Sequence, residues 1–146
     1  MDNAHSAVVE TVGGPWDAAP MAASAQRSGP RLSAVVIDVP QADHARAVEF
    51  WSAALGREPY VSDRYPEYAQ FEDATPGLAL LVQATGDDTR RVHLDLDSSD
   101  PAADVARLVD LGAEVLEQHD HWVVMRDTSD VVFCIIKPQP GAVELP

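Results

Sequence analysis

The chain predicts an α+β fold built from two similar half-domains, each a strand, a helix and three further strands. Three observations lead there. First, residues 32–56, LSAVVIDVPQADHARAVEFWSAALG, share their layout with residues 91–115, RVHLDLDSSDPAADVARLVDLGAEV. Each stretch reads as a strand, an acidic helix start, an amphipathic helix and a Leu-Gly stop. Second, apolar residues run at the period of a helix only in those two places and otherwise as short β-type runs. Third, a repeat this long marks two units, each too small to close a core alone, with a function expected between them.

Leu32–Val39 is a β-branched run ended by Pro40, as a buried strand requires. Asp43 is expected to cap the next helix, whose apolar face carries Ala47, Val48, Trp51, Ala54 and Leu55, with Gly56 as its stop. Three short strands are expected near Glu58–Ser62, Tyr68–Glu72 and Leu78–Ala84, with Pro66 and Pro76-Gly77 as punctuation. In the second half, Val92–Asp97 alternates as a strand. Asp100 before Pro101 reads as a cap with proline at the first helical position, and Val105, Leu108 and Val109 form the buried stripe before Gly112. Strands are expected at Glu114–Glu117, Trp122–Arg126 and Val131–Lys137. The domain is thus placed at residues 31–138, as units 31–84 and 91–138. A disordered Ala-, Ser-, Gly- and Pro-rich extension over 1–30 precedes it, and a frayed tail over 139–146 follows.

Composition narrows the function classes. With 146 residues and 46% hydrophobic content, the chain suits one globular domain, and no apolar run is long enough to span a membrane. The N-terminus lacks the pattern of a signal peptide, and the single Cys fits a reducing compartment, so the expected location is cytoplasmic. A formal net charge of −14 argues against nucleic acid and anionic membranes. The same charge favours a cationic small molecule through long-range attraction, and it equally serves as a solvated surface that keeps the protein soluble.

The stretches AVVIDVP, the FW…ALG helix end, RVHLDLD, the LGAEV turn and DTSDVVFCI, taken in order, resemble the vicinal oxygen chelate superfamily of glyoxalases, bleomycin-resistance proteins and extradiol dioxygenases. The likeness runs from Leu32 to Lys137 and is nearest to the small glyoxalase-like branch. It implies two βαβββ units whose strands form a curved, cup-like mixed sheet with helices on the convex side. It also implies a ligand on the concave side and a homodimer. Metalloenzymes of the superfamily hold a divalent metal through a residue early in the first strand of each unit and a Glu in the last. Those positions fall on Ala34, Leu81, His93 and Cys134. An Ala methyl and a Leu side chain have no lone pair to give, so the expectation is a site with no metal and no cofactor.

Strand alternation then sets what lines the cup. With His93 inward, Asp95 and Asp97 follow. Ala34, Val36 and Asp38 line the first strand, Leu81 and Gln83 its counterpart, and Val132, Cys134 and Ile136 the last. His93 and Asp95 form a candidate general-base pair, since a neighbouring carboxylate raises an imidazole pKa and fixes its tautomer. Val36, Asp38, Tyr68, Leu81, Gln83, Trp122 and Cys134 are the candidate ligand-binding residues. Cys134 beside His93 suggests a thiolate nucleophile, against the plainer reading of a small buried hydrophobe. Tyr60, Tyr65, Tyr68 and Trp122 are placed at the rim, where they suit a planar or cationic ligand. His119 and His121 are read as a solvent-exposed turn, ahead of a metal reading of HDH, and Arg90 and Arg91 as partners of surface acids, ahead of an anion-steering role. The leading expectation is a protein that binds a small organic molecule in an apolar, acidic cup without the usual metal. The alternatives are a metal-independent isomerase, lyase or cyclase using His93 and Asp95 as base, a divalent-metal lyase or dioxygenase, and a ligand-free interaction module.

Overall fold

The structure is a computed structural model and describes residues 29–137. The extension and tail expected at the two ends lie outside those residues, apart from Gly29 and Pro30. Among the described residues the order is β1 (Arg31–Pro40), α1 (Gln41–Leu55), β2 (Tyr60–Ser62), β3 (Tyr65–Thr75) and β4 (Leu78–Thr85). The second half follows as β5 (Arg91–Asp97), α2 (Pro101–Asp110), β6 (Glu114–Gln118), β7 (Trp122–Arg126) and β8 (Val132–Ile136). The repeat is real in three dimensions: strand, helix and three strands, twice. No helix among the described residues is long and apolar enough to cross a membrane.

All eight strands join one mixed sheet in the order β2-β3-β4-β1-β5-β8-β7-β6. In each unit the first strand runs parallel to the last, β1 to β4 and β5 to β8. The units meet where β1 pairs antiparallel with β5, with Val36 opposite His93 and Asp38 opposite Arg91. Both units therefore close onto each other within one chain, and the seam runs through the middle of the sheet.

Alternation divides the side chains between two faces. On the convex face each unit has its own small core. Ala69, Phe71 and Val82 are buried beneath Ala47, Val48, Trp51 and Leu55 of α1. Val123, Met125, Phe133 and Ile135 are buried beneath Val105 and Leu108 of α2. Neither helix contains a fully buried residue, so each rests on the sheet along a narrow stripe. Ala54 and Val109, expected on those stripes, are exposed instead, Val109 at 45%. A stripe this narrow takes residues three and four apart on one line and leaves the flanking position outside.

Local chemistry sets the helix ends. Asp100 caps α2 as expected, its carboxylate accepting from the Ala103 amide at 3.1 Å, with Pro101 in the first turn. Asp43 is not a cap. The helix α1 starts at Gln41 directly behind Pro40, which holds the N-cap place with φ −57° and no side-chain cap bond. Asp43 lies in the first turn and pairs with Arg46 and Arg90. Gly56 ends α1 in the left-handed region at φ 64°, a conformation that costs Gly little. Pro66 lies inside β3 rather than before it, one residue after the strand begins, where a missing amide is tolerated.

Candidate functional site

The concave face holds a cavity of about 380 Å³ centred on the seam. Its polar wall comes from neighbouring strands at matching register: Asp38 from β1, Gln83 from β4, Arg91, His93 and Asp95 from β5, and Cys134 from β8. The register puts these side chains on one face. Asp38 stands opposite both Gln83 and Arg91, Tyr68 opposite Gln83, and Asp95 opposite Cys134. Tyr68 and Trp122 add aromatic walls on either side. Seven of the nine residues proposed from sequence therefore border one cavity. Val36 and Leu81 do not; they are cross-strand partners of each other on the same face, and Val36 is sealed at 1% exposure.

Asp38 organises the site. At 2% exposure its Oδ2 accepts from Nδ1 of His93 at 2.8 Å and from Nε of Arg91 at 2.9 Å. On the far side of the ring, Nε2 of His93 lies 3.4 Å from Oδ1 of Asp95. That pair is close enough to attract yet not aligned as a hydrogen bond, so Asp95 Oδ1 is a buried acceptor without a partner among the described residues. A buried, unsatisfied carboxylate oxygen is costly and rare in native proteins.

Burial opposes charge on His93, but the bond to Asp38 and the close approach of Asp95 and Cys134 outweigh it and raise the imidazole from 6.5 to about 11. The ring is then an imidazolium in neutral solution. Burial likewise works against the Asp38 carboxylate, and the bonds from His93 and Arg91 overcome it and hold its pKa below the ordinary value. Tyr68 is pushed upward, first by burial and then by the charges of Glu67, Asp95 and Asp38, so its phenol stays protonated. The wall thus offers donors at Tyr68 and Arg91 and an open acceptor at Asp95.

Several cup residues were missed from sequence. Arg91 shares the parity of His93 and Asp95, and that alternation could have placed it inward. Glu117 and His119 also border the cavity, so His119 is not merely part of a solvent turn. It stacks on Trp122 at 4.4 Å between ring centroids and meets Glu117 at 3.1 Å. The β6–β7 hairpin folds this pair over the cup, an arrangement that HDH in sequence does not announce. Tyr60 and Tyr65, expected at the rim, are exposed at 65% and 47% and do not border the cavity.

A metal held by four ligands drawn from both units does not fit, because Ala34 and Leu81 bring no donor atom. His93, Asp95 and Cys134 do gather nitrogen, oxygen and sulfur within 4.8 Å of one another, all from the second unit. A divalent ion there would compete with a proton for Nε2 of His93, while Asp38 holds the Nδ1 side of the ring.

Comparison with known proteins agrees with the geometry. The family model described as "Glyoxalase-like domain" matches residues 34–136. No curated protein matches the chain. Among solved structures, a hypothetical protein from Bacillus halodurans aligns with a TM-score of 0.59 at 10% identity, covering 80% of this chain and 100% of its own. A structure titled NAD-dependent benzaldehyde dehydrogenase from Legionella pneumophila aligns at 0.56 and 20% identity, covering 73% of this chain and 98% of that one. Streptomyces coelicolor methylmalonyl-CoA epimerase in complex with 2-nitronate-propionyl-CoA aligns at 0.51 and 21% identity, covering 77% and 100%. At these identities the likeness is one of fold.

Proposed function

The chain belongs to the glyoxalase-like domain family, within the vicinal oxygen chelate superfamily, and from that premise we propose that it binds a small organic molecule in the seam cavity without a metal chelate. One observation carries the reading: Asp95 Oδ1 is buried, faces the cup and has no hydrogen-bond partner among the described residues. Such an oxygen is satisfied by a ligand that brings a donor, an ammonium or a hydroxyl. The acidic surface concentrates cations around the protein, and Trp122 stacked on His119 supplies a flat wall for the ligand's body. A cavity of about 380 Å³ is at the small end of ligand sites. Ligand-observed NMR against a panel of small amines and alcohols tests the reading. Binding that disappears in Asp95→Asn supports it; binding unaffected by that change sinks it.

A second reading is favoured by the ring held between two carboxylates: metal-independent proton transfer of the isomerase, lyase or cyclase kind. With His93 already an imidazolium, the ring serves as acid and Asp95 as the group that takes a proton, which reverses the base role drawn for His93 from sequence. Exchange of solvent deuterium into a bound ligand, lost in His93→Gln, distinguishes this reading from plain binding. The narrow helix stripes and Phe50, exposed at 62%, support a homodimer formed over the convex side, which sedimentation measures directly.

A further inference from the structure

Four charged side chains stand in a row along the seam: Arg91, Asp38, His93 and Asp95. Their signs alternate, and each touches the next, at 2.9, 2.8 and 3.4 Å. The inner two members satisfy each other. The ends do not. Arg91 bonds Asp38 through Nε, and its terminal amino groups, on a side chain 45% exposed, carry no hydrogen bond among the described residues. Asp95 at the other end keeps its orphan oxygen. The row sums to zero charge, but it has a cationic end at the opening and an anionic end within.

We propose that the cup selects a small zwitterion, an ω-amino carboxylate or a close analogue, with its ammonium on Asp95 and its carboxylate on Arg91. This rests on the cavity being a ligand site and goes further by naming both poles of the ligand. A lone cation would leave the Arg91 end open, and a lone anion would leave Asp95 unsatisfied. Only a ligand with the opposite polarity closes both ends of the row. Arg91 and Asp95 lie four residues apart on one strand face, about 13 Å along the backbone. The ligand is therefore an extended chain rather than an α-amino acid, whose charges sit side by side. Its methylenes rest on Tyr68 and on the Trp122 wall. Competing charges are accounted for: Glu117 is engaged by His119, and Asp87 near Arg91 is exposed, where solvent screens it.

Calorimetric titration of the full chain near pH 7 with 5-aminopentanoate, pentanoate and pentylammonium tests both poles. The amino acid is expected to bind at least about tenfold more tightly than either single-charge probe, the worth of one charge-assisted hydrogen bond. Arg91→Gln should lower 5-aminopentanoate to the affinity of pentylammonium and leave pentylammonium unchanged. Asp95→Asn should abolish the gain from the ammonium. Equal affinity for 5-aminopentanoate and pentylammonium in the native protein overturns the zwitterion while leaving the cavity as an amine site. Tightest binding by pentanoate overturns it as well, and no binding by any of the three overturns both this proposal and the ligand site beneath it. Circular dichroism of both variants, expected to match the native protein, separates lost binding from lost fold.

Discussion

The imidazolium–carboxylate pair at the seam should make the protein lose stability as the pH rises through neutrality. His93 is raised to about 11 in the fold from 6.5, so its contribution is complete below about 6.5 and declines until the folded group itself titrates. Asp38 is held below its ordinary 3.8, so its share is present above about pH 4 and is lost in acid. The pair is thus at full strength between roughly pH 4 and 6.5. Between pH 6 and 8 the unfolded chain releases the His93 proton and the folded chain keeps it, which removes about 2 kcal/mol at 1.36 kcal/mol per proton per pH unit. For a domain of this size that is about 1 M of urea midpoint. His93 is only 8% exposed at its side chain, so solvent does little to screen the effect. Urea unfolding followed by Trp fluorescence, on the native protein and on His93→Gln, isolates this contribution. The native midpoint should fall with pH while the variant's falls markedly less. Asp38→Asn at pH 6 should cost about 2–4 kcal/mol, nearly all through His93, because Arg91 is half in water. Parallel midpoint curves for the native protein and His93→Gln would refute the charged pair.

Other consequences are simpler to measure. Asp95→Asn should change stability by about 1 kcal/mol or less, since its Oδ1 makes no hydrogen bond to lose, yet it should remove amine binding; a large stability loss with binding intact would reverse the assignment. Cys134→Ser should keep both fold and ligand affinity, as expected of a small buried side chain in β8, and a tenfold loss of affinity would give the thiol a direct role. Elemental analysis of protein purified at neutral pH without chelators should find well under one equivalent of zinc, and a full equivalent would show that metal displaces the His93 proton. Asp100→Ala should cost about 1 kcal/mol through the lost α2 cap, while Asp43→Ala, which removes only exposed ion pairs, should cost less, as urea midpoints will show.

The doubled pattern was legible because the periods of helix and strand differ and Gly or Pro marked most junctions. The cup wall was legible for the same reason: once His93 was turned inward, parity carried Asp38, Asp95, Gln83 and Cys134 with it. What escaped was cross-strand register. Nothing local in VIDVP announces that Asp38 stands beside His93; that depends on β1 and β5 pairing across more than fifty residues. From sequence the imidazole has one carboxylate neighbour, Asp95, and the fold adds a second, Asp38. Arg91 and His119 were lost for related reasons, one assigned to the surface by its position before a strand, the other by its place in a hairpin. Asp43 failed as a cap because the helix starts behind Pro40, three residues early.

The central place of β1 also shapes how the chain folds. Its inner neighbour β4 arrives some forty residues later, and its other neighbour β5 later still, with Arg31 opposite Asp97. By contrast, β3 with β4 and β6 through β8 pair between near neighbours in sequence. Local hairpins should form quickly, and the seam should close last, because long-range pairing carries the larger loop-closure cost. During synthesis one edge of β1 can take up β4, while the other would stay open until β5 has left the ribosome. Until then Asp38, the acid that holds the site together, would have neither of its cationic partners, so the polar row and the finished sheet would appear in a single late step.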